Sequence, residues 1–578
     1  MQWRNPWLFG PWEFVISIEC YVCCGTGGFL ACTVDTLRDQ VENTTRDINL
    51  YGKEINDETY AICKSDMMIK GNDPKNIKMG STLSTDEFAG QRFDFCLSNP
   101  PYGKSWATEQ KYIKEGSDVI DSRFIVDLAD YWGNSAPVDA TPRSSDGQLL
   151  FLMEMVSKMK STASSPLGSR IASVHNGSSL FTGDAGSGES NIRRYLIEND
   201  MLDAIVQLPN NLFYNTGITT YIWLLNNNKP ETRQGKVQLI DASLLFKKLR
   251  KNLGNKNCEF SPEHITEITQ TYLDSASIDR KLNDQGDAAG IAAKVFNNDD
   301  FGYYKVNIER PDRRKAQFKA DLIEPLRFDK ALREPMEHLY AEYEDVYKAD
   351  FFSANEKAKE KEIISWCEDN DISLNAKAKA KLLSSDTWDN GRLLVALGNK
   401  LGETITKEYS DFNTWYDESA EKVIKKIVKF KQEKLDELLH HLCCTETDLV
   451  NFGYYAIEGK KLEFITYESS TDLRDAESIP LTYLNDKTSD SSGNQSAIHQ
   501  YFLDEVQPHV DEAWINLDST KIGYEISFNK YFYQHKVLRT MDEVASDIIN
   551  LEKKAEGLIA DILGVENLGL DLAKVKGE

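Results

Sequence analysis

The 578-residue chain contains no uninterrupted apolar run long enough to cross a bilayer. The apolar-rich stretch 8–24 is broken by Glu13 and Glu19 and shows no cleavage-site pattern, so it does not read as a signal peptide. The expectation is a cytoplasmic protein with no membrane partner. Cations are also short: 67 Lys and Arg stand against 92 Asp and Glu, a net charge of −25. A field of that sign repels phosphate, so any action on nucleic acid needs a local basic face or a partner that supplies one. Paired metal-ligand motifs are missing too. Cys20 and Cys23 have CxxC spacing without a second such pair, and His440, His441, Cys443 and Cys444, read as the end of a charged helix, lack helix-face ligand spacing. No metal is expected. What is present, 41% apolar residues over this length, fits a globular chain of two or more domains.

The most informative stretch is Phe93 to Tyr102, Phe-Asp-Phe-Cys-Leu-Ser-Asn-Pro-Pro-Tyr. Phe93 to Ser98 predicts a short buried strand. It must stop at Asn99, because Pro100 and Pro101 have no N–H for a sheet ladder and Pro100 biases Asn99 away from helix. Open α/β sheets place ligands at such carboxyl ends. The Asn99 side-chain oxygen and the Pro100 carbonyl are two acceptors on a stiff turn. They suit a planar amino or amide nitrogen whose delocalised lone pair must be biased toward a methyl donor. Tyr102 is placed to stack on the target ring, and a base in duplex DNA would have to be flipped out to reach it. Taken alone, a proline turn that merely ends a strand is an equal reading.

Upstream, Cys24-Gly25-Thr26-Gly27-Gly28 is a glycine-rich turn before a helix-compatible run, and residues 50–55 predict a strand ending at the acidic Glu54. A carboxylate at that spacing suits ribose hydroxyls. Residues 80–83 predict a third strand end, carrying Ser81. Downstream, Ile171–Val174, Ala204–Leu208, Tyr221–Leu225 and Val237–Ile240 are apolar runs fit for buried strands, with a helix over Glu189–Glu198 between two of them. The alternation predicts right-handed βαβ units over one doubly wound sheet. The glycine-rich lead-in to that helix either binds an anion or simply caps it.

In this order the segments resemble the amino-group DNA methyltransferases. Asp146-Gly147-Gln148-Leu149-Leu150-Phe151, Asn176-Gly177-Ser178-Ser179-Leu180-Phe181 and the run from Ala185 to Arg193 narrow the resemblance. So do Leu208-Pro209, Phe213 to Ile218 and Gly235 to Ala242. Together they resemble the modification (M) subunit of type I restriction-modification systems, an N6-adenine DNA methyltransferase. The resemblance runs from about Cys24 through Ala242 and continues thinly through Phe301-Gly302-Tyr303 and Lys521 to Ile526. It implies a Rossmann-like S-adenosyl-L-methionine-dependent fold, with Cys24, Gly25, Thr26, Gly27, Gly28, Glu54 and Ser81 at the cofactor and Asn99, Pro100, Pro101 and Tyr102 at a flipped adenine of duplex DNA. It also implies a specificity (S) subunit, a second M subunit and, in some systems, a restriction (R) subunit as partners. The chain departs from the family pattern at Tyr21 and Val22, where Asp or Asn and then Pro are usual, and at Ser81, where Asn or Asp is common. An upstream helical domain and a Phe-Tyr-Thr-Pro-Arg-like segment are absent. Two alternatives stay open: an assembly scaffold impaired in cofactor binding, and a protein glutamine methyltransferase, whose amide target poses the same chemical problem.

The expected organisation is an atypical, truncated amino terminus (1–22), a catalytic domain (23–245), an extension (246–328) and a mostly helical region (329–578). Two basic runs, Lys247, Lys248, Arg250 and Lys251, and Arg310, Arg313, Arg314 and Lys315, are either phosphate contacts or solvated faces, the second being favoured. A charged helix is expected over Glu418–Leu442 and a polar linker over Ser469–Ser496. Thr540 and Glu543 read as a capping box opening a heptad seam of Met541, Val544, Ile548, Leu551, Ala555, Leu558 and Ile562, closed by Gly564. Such a narrow seam fits a partner helix, within this chain or on the S subunit.

Overall fold

The structure is a computed structural model. It describes residues 16–20, 24–40, 48–214, 216–282, 288–312, 314–316, 318–343, 351–370, 372–405, 415–427, 443–445, 455–457, 465–467, 469–484, 496–510, 512–532 and 540–563. Tyr21, Val22, Arg313, His440, His441, Gly564 and most of the expected 418–442 helix fall outside that set.

Four parallel strands come first: β1 (Ile16–Cys20), β2 (Ile48–Glu54), β3 (Ile77–Met79) and β4 (Phe95–Ser98). They are followed by β5 (Arg170–Asn176), β6 (Leu202–Gln207), β7 (Thr220–Asn226) and β8 (Lys236–Asp241). After a hairpin, β9 (Lys247–Leu253) with β10 (Lys256–Glu259), comes β11 (Ala292–Asn297). All but the hairpin join one sheet in the order β11-β8-β6-β7-β5-β4-β1-β2-β3. The doubly wound expectation holds, with one correction. β7 runs antiparallel to both β5 and β6, and β11 antiparallel to β8. Among its described residues the segment between β6 and β7 contains no helix, and a parallel pair needs a crossover of a dozen or more residues, usually helical.

Each face of the sheet has its own core. Cys96, Ile171, Leu202, Ile205 and Trp223 pack with Leu149, Leu152 and Met153 of α3 (Gln148–Ser157) and Ile192 and Leu196 of α4 (Gly188–Glu198). On the other face Phe95 and Leu97 lie against a cluster formed by Leu50, Ile77, Leu30 and Val34 of α1 (Gly28–Gln40) and Cys63 and Met67 of α2 (Asp57–Ile69). The period-2 alternation of β4 thus divides its side chains between two cores. Each large apolar side chain so buried contributes about 1.5–3 kcal/mol.

Beyond residue 329 lie the helices α6 (Arg333–Glu342), α7 (Phe351–Asp369), α8 (Ala376–Leu382) and α9 (Ser385–Gly402), numbered after α5 (Pro262–Leu273), and the terminal α10 (Met541–Leu563). This region also returns strands. β13 (Asp475–Pro480) and β14 (Trp514–Tyr524) flank β12 (Gly302–Glu309) in an antiparallel three-stranded sheet. The expected linker over 469–496 therefore contains a strand. Asp-Ala-Glu-Ser-Ile-Pro has no apolar alternation to reveal it, and its pairing partner lies some 170 residues earlier. Cys443 and Cys444, read as a helix end, are extended and pair with Ala316 and Lys315. Phe93 makes only an isolated bridge to Met159, so β4 starts two residues later than expected.

Arg193 fastens this return to the main sheet. Its side chain is buried and donates to the carbonyls of Tyr524 (2.6 Å), Ser179 (3.1 Å) and Gly183 (3.3 Å). The Tyr524 N–H donates to Ser190 Oγ at 3.1 Å. The start of α4 is a cap rather than an open anion site: Ser187 faces the Ser190 N–H, and the buried Glu189 carboxylate accepts from the Arg143 N–H at 2.9 Å. A Cβ on Gly188 would lie 1.8 Å from the Thr141 carbonyl oxygen, which accounts for glycine there. No described helix is long and apolar enough to cross a membrane.

Candidate functional site

The strand order reverses between β1 and β4, which pair in parallel with Cys20 opposite Leu97. Their carboxyl ends therefore open on one edge, the switch point where such sheets bind ligands. The glycine turn leaves one strand there and the Asn-Pro-Pro-Tyr turn leaves the other.

The glycine turn is held from two sides. Gly25 (φ 55°) and Gly27 (φ 80°) adopt left-handed backbone, and a Cβ on Gly27 would lie 2.8 Å from Cys63 Sγ. The Cys24 N–H donates to the Lys53 carbonyl at 2.8 Å, while its side chain turns into the core, with Sγ 3.8 Å from Cys63 Sγ. Glu54 is buried at the end of β2. Its Oε2 accepts from the Gly25 N–H at 2.9 Å, and its Oε1 accepts from the N–H groups of Ile55 and Asn56 at 3.0 Å. Gly25 and Glu54 are thereby brought together. Gly28 opens α1.

Ser81 lies two residues beyond β3. It lines a cavity of about 70 Å³ with Ile55, Leu83, Pro101, Trp106 and Phe151. The loop that carries it rests on buried charge. Arg123 donates to the Thr82 carbonyl (2.9 Å), the Leu83 carbonyl (3.3 Å) and Glu154 (2.8 Å), and Lys158 donates to Asp86 at 2.6 Å. Lys53 donates to the hydroxyl (3.1 Å) and the carbonyl of Thr85. Burial pulls the Lys53 ammonium down to about 8 and pushes the Glu154 carboxyl up.

In the Asn-Pro-Pro-Tyr turn Pro100 is buried, Pro101 is exposed, and Asn99 and Tyr102 are half-buried. The Tyr102 hydroxyl donates to Asn99 Oδ1. The following residues are clamped by the 143–147 segment. Trp106 donates through Nε1 to the Arg143 carbonyl at 3.0 Å, Ser105 Oγ donates to the Ser144 carbonyl at 2.9 Å, and the Gly147 N–H donates to the Lys104 carbonyl at 3.0 Å. That segment is tied in turn to the end of β5. Gln148 Nε2 donates to Asp146 Oδ2 (2.7 Å) and Asn176 Oδ1 (2.6 Å), and Ser178 Oγ donates to Asp146 Oδ2 (3.0 Å).

Sequence reasoning did not assign a role to Lys53, Arg123, Trp106 or this Asp146–Gln148–Asn176–Ser178 network. The available signal was polar residues clustered at the ends of apolar segments, in Asp146-Gly147-Gln148 and Asn176-Gly177-Ser178. A larger, mostly apolar cavity of about 610 Å³ is lined by Phe29, Leu97, Ser98, Leu212, Tyr214 and Lys256, among others. Among the described residues no cluster of His, Cys, Asp and Glu is arranged to hold a metal ion.

The N-6 DNA Methylase family matches residues 20–312. Similar curated proteins include the type I restriction enzyme MjaIX methylase subunit of Methanocaldococcus jannaschii, 27% identical over 270 residues, 46% of this chain and 42% of that one. The MjaVII methylase subunit of the same organism is 30% identical over 229 residues, 39% of this chain and 35% of that one. The MpnII methylase subunit of Mycoplasma pneumoniae is 28% identical, covering 43% of this chain and 42% of its own. This chain thus matches less than half the length of these relatives. Among solved structures, the type I restriction-modification system methyltransferase subunit from Streptococcus thermophilus aligns with a TM-score of 0.37 at 24% identity, over 50% of this chain and 52% of that one. The family match runs from the last residue of β1 through the end of β12, half of the whole sequence, and on that ground the chain belongs to the N-6 DNA methylase family.

Proposed function

We propose that the chain is the modification subunit of a type I restriction-modification complex and methylates the N6 amino group of a flipped adenine in duplex DNA. The observation that carries this reading is the meeting of the Asn99–Tyr102 turn with the Gly25–Glu54 pair on one sheet edge.

The donor set fits S-adenosylmethionine. Glu54 supplies a buried carboxylate suited to a ribose diol, and left-handed Gly25 and Gly27 let the main chain approach a ligand closely. Ile55, Leu83, Pro101 and Phe151 form apolar walls for a purine, with the Ser81 hydroxyl beside them. When bound, this cofactor supplies an electrophilic methyl group. The protein's part is to hold the acceptor nitrogen. Asn99 Oδ1 and the Pro100 carbonyl accept its two N–H groups, which turns the lone pair toward the methyl donor. Tyr102 gives up its bond to Asn99 as the base enters and then stacks on the ring. The cavity walled by Phe29, Leu212 and Tyr214 adjoins Ser98, and we place the flipped base there.

The specificity subunit and a second M subunit complete the complex, joined in some systems by a restriction subunit. The seam of α10 supports a docking role. Met541, Ile548 and Leu551 are 85%, 55% and 65% exposed, too open for an internal helix pair among the described residues.

Labelled S-adenosylmethionine, given to the chain with its specificity subunit and duplex DNA, should label the DNA and not protein. Asn99→Ala should lower the rate of labelling by about a hundredfold or more while cofactor binding persists. Full-rate labelling by Asn99→Ala, or label in protein glutamine, contradicts the reading.

A further inference from the structure

The acidic chain carries a local concentration of cations beside the site. β9 and β10 form a two-stranded ribbon whose 247–256 stretch contains Lys247, Lys248, Arg250, Lys251 and Lys256, and Glu259 is its one acid. Every residue of β9 except Leu249 is exposed. Among the described residues, Lys247, Lys248, Arg250 and Lys251 make no ion pair within 4 Å, whereas Lys379 and Lys381 of α8, a helix with three lysines, pair with Glu360 (2.8 Å) and Asp329 (2.6 Å).

Two-stranded ribbons are marginal alone, and this one is fastened at its turn. Gly254 (φ 63°) makes the tight turn. Asn211 Nδ2 donates to the Asn255 carbonyl (2.9 Å), the Asn257 N–H to the Asn211 carbonyl (3.1 Å), and Lys256 Nζ to the Leu212 carbonyl (2.8 Å). These bonds seat the ribbon on the loop that follows β6. Lys256 and Glu259 line the same cavity as Ser98, the residue before Asn99.

We infer that the β9–β10 ribbon is the duplex-DNA phosphate contact of this chain, holding the backbone beside the site where a base is flipped. Glu259 stands across the ribbon from Lys247, which leaves Lys248, Arg250 and Lys251 to repel one another unless an anionic partner neutralises them. B-form DNA supplies closely spaced phosphates, and its major groove admits a two-stranded ribbon. The inference rests on the proposed action on DNA, and it places the electrostatic contact that a net charge of −25 otherwise denies.

The test is the salt dependence of binding to a fluorescein-labelled duplex of mixed sequence, measured by anisotropy on the full chain from about 50 to 200 mM salt. Replacing Lys247, Lys248, Arg250 and Lys251 by Gln should make the slope of log K against log salt shallower by about 3–4 and weaken low-salt binding more than tenfold. Replacing the three lysines by Arg should preserve the slope. Gln at Lys377, Lys379, Lys381 and Lys400 removes the same charge elsewhere and should shift the slope by less than about 1. Thermal unfolding of each variant reports folding. An unchanged slope in the ribbon variant, equal changes in the two Gln variants, or no duplex binding by the unaltered chain overturns the inference. The methyl-transfer reading is judged separately, by the Asn99→Ala labelling experiment.

Discussion

The two sides of the site are built differently. On the cofactor side, the turns after β1, β2 and β3 are pinned from within: Glu54 accepts three main-chain N–H groups, Lys53 and Arg123 bond to the carbonyls of the third turn, and Cys63 fills the space beneath Gly27. On the outer side, the β9–β10 ribbon is held to the β6–β7 loop by hydrogen bonds at its turn and presents exposed cations. The difference follows from what each side is proposed to hold. A small cofactor needs a preformed pocket, whereas a polyanion gains from charge displayed on the surface.

The largest expected effect lies where the two sides meet. Asn99→Ala should lower kcat for methyl transfer by about a hundred- to a thousandfold with cofactor affinity unchanged, measured by label incorporation and calorimetry. Arg193→Met leaves two buried carbonyls and a half-buried one without their donor and should cost about 3 kcal/mol in denaturant unfolding, which would show how strongly the carboxyl-terminal return supports the sheet. Glu54→Ala should weaken S-adenosylmethionine about 10- to 100-fold by calorimetry while leaving duplex affinity alone; a change in both would mean that the two sides are not separable. The smallest effect concerns His175, buried in β5 with its ring 5.8 Å from that of Trp223. Burial lowers its pKa to about 3. Between the ordinary value and that one the unfolded chain binds a proton that the folded chain does not, so stability falls as pH drops, by about 2 kcal/mol from pH 7 to pH 5. His175→Asn should flatten that part of the pH profile of unfolding.

The legible features were local ones. The prolines after Ser98, the glycines after Cys24 and the acid ending β2 each act through their own backbone, and the structure brings them together on one edge. Features that depend on distant residues were not legible. β13 lies in a polar stretch because its pairing partner, β12, is far away in sequence. The antiparallel direction of β7 is written in a connection without a helix, whereas its apolar composition matches that of a parallel strand. The run 247–251 reads as a charged surface until hydrogen bonds to Asn211 and Leu212 seat it beside the site. The bond between Tyr102 and Asn99 depends on the side-chain conformation of the turn, which composition does not convey.

The central claim is that this sheet edge delivers a methyl group to adenine N6. The most direct measurement is nucleoside analysis of duplex DNA incubated with the chain, its specificity subunit and methyl-labelled S-adenosylmethionine. The account predicts that the label is recovered as N6-methyladenine and that its rate of appearance falls by about a hundredfold or more with Asn99→Ala. Recovery of the label in a cytosine product, in protein, or undiminished with Asn99→Ala would contradict it.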